Sequence, residues 1–89
     1  MMYPYMTLGD GTEIVHSHII VDGDERKVQV HFERPTENGF DDARFELPSY
    51  KRLYGSGFSE EELAFFEEFL RHNAHLLYRY AESGGINIA

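Results

Sequence analysis

Three of the five histidines, His16, His18 and His31, fall in short runs rich in β-branched and aromatic residues, and Glu46 falls in another such run. Joining these runs as antiparallel strands through tight turns predicts cross-strand rows on one face: Tyr5–His16–His31–Glu46, Thr7–Ile14–Glu33–Arg44 and Tyr3–His18–Gln29. Directly opposed residues in such pairs have Cβ atoms about 4.5–5.5 Å apart. The rows therefore predict His16 beside His31, with His18 and Glu46 as neighbours. Two imidazoles and a carboxylate are a donor set for zinc or iron. His16, His18, His31 and Glu46 are thus the candidate ligands of a divalent metal, the one cofactor the sequence raises. The same groups offer proton transfer, with Glu46 orienting His31 and Tyr5 as a phenolic partner. The plainer reading is a half-wetted strand surface, because a flat sheet face lacks the concavity that shields a metal or substrate from water.

Other spacings carry less. His72 and His75 lie three apart on a helical stretch, but Glu68 and Arg79 stand four residues to either side, the pattern of a solvated helix face. Gly55-Ser56-Gly57-Phe58-Ser59 leads into that helix, where anions meet free backbone N–H groups. Glu60, Glu61 and Glu62 already occupy that positive end, and neither a Walker pattern nor a dinucleotide fingerprint is present. Tyr3, Tyr5, Tyr50 and Tyr54 form a second candidate set, for a protein interface, since tyrosine joins a large contact area to a polar tip. Tyr50 and Tyr54 have the alternative of folding back over the core.

The elements that must position these residues are marked by turn chemistry. Asp10-Gly11, Gly23-Asp24 and Asn38-Gly39 separate four alternating runs, about 3–8, 12–21, 26–34 and 41–47. Centring hairpins on these dipeptides collects Met6, Val15, Ile19, Val28, Val30, Phe32, Phe45 and Leu47 on one face. Ser59-Glu60-Glu61-Glu62 is a capping box, with Phe58 and Leu63 placed for a hydrophobic staple. Leu63, Phe66, Phe69, Leu70, Leu77, Tyr80 and Ala81 then recur at helical spacing up to Gly84-Gly85, which predicts a helix over about 60–83. The expected fold is a single α+β domain spanning 1–89. It has two layers, a four-stranded antiparallel β-meander with one long C-terminal α-helix packed on one face. Ile86–Ala89 is left between an edge strand and a trailing end.

Composition narrows the function classes. The chain has 89 residues, no cysteine, and a net charge of −8 from 16 acidic and 8 basic residues. Lacking cysteine, it has no disulfide, thiolate ligand or thiol nucleophile. Its scattered Lys and Arg argue against general nucleic-acid binding and against an anionic membrane surface. No apolar run approaches the roughly 20 residues of a membrane span. Met1–Met6 has neither a basic nor a sustained apolar region, so the sequence reads as cytoplasmic. The leading expectation is a non-catalytic protein-interaction or regulatory module that self-associates, through the uncovered sheet face or the helix, as a homodimer. A small metal-dependent or acid–base enzyme on the His/Glu patch is the alternative. A third reading, an acidic mimic of nucleic acid that binds a basic partner, meets acidic residues spread in clusters rather than in one stripe.

Overall fold

A computed structural model describes residues 1–84. The Ile86–Ala89 segment lies outside the described residues. The chain runs β1 (Tyr3–Thr7), β2 (Glu13–His16), β3 (Ile20–Asp22), β4 (Glu25–Thr36), β5 (Gly39–Leu47), β6 (Lys51–Ser56) and α1 (Glu60–Ser83). The sheet order is β1-β2-β4-β5-β6, with β3 also paired to β4 and every pairing antiparallel. The fold is therefore two-layer α+β, with six strands rather than the expected four.

Both extra strands arise from pairing with a neighbouring strand. Residues 51–56, outside the four runs expected to be strands, form an edge strand against Asp42–Glu46. The expected strand 12–21 is divided at Ser17–Ile19, where the register against β4 slips by one residue. His16 is opposed to Val30, but beyond the break Ile20 is opposed to Lys27. One more residue is used on this side than on β4, which is a β-bulge.

Side chains hold this bulge. The Ser17 N–H donates to the Gln29 carbonyl at 2.9 Å, but the returning Gln29 N–H donates to the Ser17 hydroxyl at 3.0 Å. The Ser17 carbonyl is occupied by His16 Nδ1 at 2.7 Å, and the Ser17 hydroxyl donates onward to the His18 carbonyl at 2.7 Å. Because a side-chain period of two turns with every inserted residue, Ile14 and His16 face the helix before the bulge and Ile19 does so after it.

The slip corrects the expected core. Ile14, not Val15, is opposed to Phe32 and fully buried, whereas Met6 is 45% exposed. The β4–β5 hairpin turns at Glu37-Asn38 rather than Asn38-Gly39, so Phe32 meets Ala43 and Val30 meets Phe45. A two-residue shift preserves the faces, and Val28, Val30, Phe32, Phe45 and Leu47 remain in the core. The β1–β2 hairpin turns through Gly9–Gly11, with the Thr12 N–H held by Asp10 Oδ1 at 2.9 Å.

The helix matches its sequence signals. Ser59 accepts the Glu62 N–H through its hydroxyl, and Glu62 accepts the Ser59 N–H in return. Gly84, at φ 77°, caps the C-terminus in the left-handed region. Leu63, Phe66, Leu70, Leu77 and Ala81 face the sheet, and Phe66 stacks on Phe32 with ring centroids 4.2 Å apart.

Replacing Ser17 with alanine leaves the shielded Gln29 N–H without its acceptor. Loss of about 1–3 kcal/mol is expected in urea unfolding, with the loss of exchange protection at Gln29 marking the bulge as its source.

Candidate functional site

The predicted histidine patch is divided between the two faces of the sheet. His16 points into the core between Tyr3 and Tyr5, fully buried, with ring centroids 5.7 and 6.4 Å from theirs. Since a carbonyl only accepts, its Nδ1 carries the proton that goes to Ser17, and Nε2 has no partner among the described residues. His31 is opposed to Val15 and Arg44 on the open face, away from His16. His18 is exposed at the bulge, and Glu46 lies on the open face 3.7 Å from Lys27 Nζ. The expected adjacency of His16 and His31 is thus corrected by the Ser17 bulge. Among the described residues no group of three or more His, Asp or Glu side chains is arranged to hold a metal ion.

The tyrosines also separate. Tyr5, expected on the open face, lies under the helix, where its hydroxyl donates to Asn73 Oδ1 at 2.6 Å and its ring meets Phe69 and Tyr80. Burial raises its phenol pKa above the usual value, with the neighbouring Tyr80 adding to the effect. The cause of the change of face is a second irregularity, between Pro4 and Met6 in the β1–β2 register. Tyr3 shares this side, opposed to His16. Tyr50 folds back against the core in a left-handed conformation at φ 62°, with the Arg71 guanidinium 4.4 Å above its ring. Tyr54 alone of the four is largely open, 50% exposed on edge strand β6 with Arg44 over its ring.

Concave surface among the described residues lies elsewhere. A groove of about 400 Å³ runs between the β1–β2 turn and the first turns of α1. Leu8, Phe65 and Phe66 supply apolar walls, and Asp10, Glu61 and Glu62 supply an acidic rim. Phe66 is buried, but Phe65 is 54% exposed. A wider hollow beside His18, Ile19 and Val21 has its charged rim already paired, Arg26 to Glu82 at 3.6 Å.

Arg34 fixes the groove walls. From β4 it contacts Asp41 on β5 at 2.8 Å, Asp10 in the β1–β2 turn at 3.1 Å and Glu62 in the capping box at 2.6 Å. Its guanidinium also lies 4.7 Å above the Phe58 ring. Asp10 is held below the usual carboxylate range first by the Thr12 N–H and then by Arg34, and Glu62 first by the Ser59 N–H and then by Arg34. Both therefore remain charged at neutral pH, while Glu61 makes no ion pair among the described residues. Gly57, at φ 91°, brings its backbone so close to Asp41 that a Cβ there would overlap the carboxylate.

Arg34 was legible only as a basic residue near a strand end, because its three partners come from separate parts of the chain. Phe65 had a signal that the helical stripe concealed: it is an aromatic residue out of phase with Leu63, Phe66 and Leu70. No protein-family model, curated protein or solved structure matches this chain.

Two measurements follow from this geometry. Arg34→Ala strands three carboxylates and separates the groove walls. Destabilisation of about 1–3 kcal/mol is expected by urea unfolding, above the range of an ordinary exposed ion pair. His31 has its pKa lowered, first by burial and second by the Arg44 charge. Below its reference value of about 6.5 the unfolded chain takes the proton before the folded one, so folding stability falls as pH drops through that window. His31→Gln removes this contribution, and the variant should lose less stability than the parent between about pH 7 and pH 5. Equal losses would show that His31 carries no such linkage.

Proposed function

We propose that this protein is a non-catalytic protein-interaction module whose contact surface is the groove beside the helix N-terminus and the adjoining outer face of α1. The observation that carries the reading is Phe65, an aromatic ring 54% exposed at the edge of an apolar groove with acidic residues around it. Exposed aromatic anchors beside a preformed concavity are the usual material of contact surfaces. On the rim, Asp10 and Glu62 are held by Arg34, so Glu61, which makes no ion pair among the described residues, is the charge that selects a partner presenting Lys or Arg next to an apolar side chain. With no thiols to protect or oxidise, the chain suits a reducing compartment such as the cytoplasm.

This moves the proposed surface away from the open sheet face. There the β4–β5 pairs at its centre are polar, with Glu33 opposed to Asp42 and His31 to Arg44. The enzyme reading loses its geometric basis because His16 and His31 lie on opposite faces. A nucleic-acid mimic needs a run of unpaired carboxylates, but Asp10, Asp41 and Glu62 are held by Arg34, Asp22 by Lys27 and Asp42 by Arg44.

A peptide probe tests the reading. Acetylated Lys-Leu-Lys-Phe-Arg added to the isotope-labelled protein should shift backbone resonances of Leu8, Gly9, Glu61 and Phe65, and Phe65→Ser should abolish those shifts. Its counterpart Lys-Ser-Lys-Ser-Arg, equal in charge, controls for attraction to an acidic protein in general. Equal responses to both peptides, or shifts spread over every acidic cluster, would overturn the proposal.

A further inference from the structure

The outer pole of α1 has the charge order of a surface that fits itself. Glu61, Phe65, Glu68, His72, His75 and Arg79 are all exposed, on the side opposite the buried Leu63, Phe66, Leu70 and Leu77. Their alternating spacing of four and three residues keeps them on one line along the helix. The half nearer the N-terminus carries two carboxylates and a phenyl ring, and the half nearer the C-terminus carries two imidazoles and a guanidinium.

The helix dipole does not account for this order. Its influence falls away within the terminal turns, whereas Glu68, His72 and His75 lie in the middle of the helix. The last turn, moreover, contains Glu82 and no basic residue.

Building on the interaction-module reading, we infer that a second copy of this chain occupies the surface, with two α1 helices packed antiparallel about a twofold axis level with Leu70. Glu61 then faces Arg79 of the second copy, Phe65 faces its His75, and Glu68 faces its His72. Symmetry makes each pair occur twice and closes the assembly at two chains. A parallel arrangement would instead set Glu61 against Glu61 and Arg79 against Arg79. An imidazole donates an N–H to a carboxylate even when neutral. Within the monomer that one N–H goes from His72 Nε2 to Glu68 Oε1 at 3.1 Å, and in the dimer it is exchanged for a bond to Glu68 of the second copy. On the groove side Leu76 comes beside Phe65 of the second copy, next to the groove lined by Leu8.

The helix spans about 36 Å at 1.5 Å per residue, and the contact is one helix wide and largely polar. That places it among small, reversible interfaces, below about 1,200 Å² in total. The association is accordingly concentration-dependent and weakened by salt.

Sedimentation equilibrium of the full chain at low and high salt tests the inference. A reversible dimer is expected, with Glu61→Arg and Arg79→Glu each raising its dissociation constant about tenfold. Combining the two changes in one chain restores opposite charges at both positions and should recover the affinity. Thermal unfolding by circular dichroism confirms that each variant is folded. A species that stays monomeric up to about millimolar concentration, a dimer indifferent to the single changes, or a folded double variant without recovery would each overturn the inference. If the chain is monomeric but the basic peptide still shifts Leu8 and Phe65, the second-copy inference fails and the interaction-module reading stands. Loss of both responses removes both.

Discussion

One guanidinium joins the sheet to the start of the helix, two parts of the fold that no hydrogen-bond ladder connects. Arg34 reaches a neighbouring strand through Asp41, a hairpin turn through Asp10 and the start of the helix through Glu62. Only arginine has the fixed fork of donors to serve several carboxylates at once; lysine offers a single point of charge. Glu62 is shared between this cluster and the capping box, so the helix begins where the sheet holds it. The groove lies between two elements fastened to the same side chain. Its shape is thus a property of packing between layers.

A second constraint is the bulge at Ser17. By taking the Gln29 N–H onto a hydroxyl, Ser17 frees its own carbonyl for His16 and lets the strand gain one residue. That residue changes which side chains are inside. Ile14 and Ile19 are an odd number of positions apart, and both can face the core only if the strand changes phase between them. The cost is a buried imidazole with Nε2 unpartnered among the described residues, enclosed by Tyr3 and Tyr5. The histidines that look adjacent under a regular register become a core residue and an open-face residue, separated by the thickness of the sheet.

The functional reading rests on what these constraints leave uncovered. The sheet covers one side of α1, and the opposite side carries a charge order with no role in holding the monomer together beyond local pairs such as Arg71–Glu67 and His72–Glu68. The exposed phenyl ring of Phe65 joins that line to the groove, making them one surface. Interaction through this face needs no rearrangement of the core, since Leu63, Phe66 and Leu70 point the other way.

Much of this was written in local sequence. The capping box, the helical stripe and the glycine stop determined α1 because each acts within a few residues. The runs of alternating residues determined antiparallel strands, and Gly23-Asp24 determined the β3–β4 register that the structure adopts. Only tertiary structure decided the phase of β2, the strand character of residues 51–56 and the faces of His16, His31 and Tyr5. Each of these depends on hydrogen bonds or packing between residues distant in the chain, where local propensity is silent. The grouping of Arg34 with Asp10, Asp41 and Glu62 belongs to the same class. A charge in the sequence shows that a partner is needed, but only the folded chain brings three partners within reach of one guanidinium.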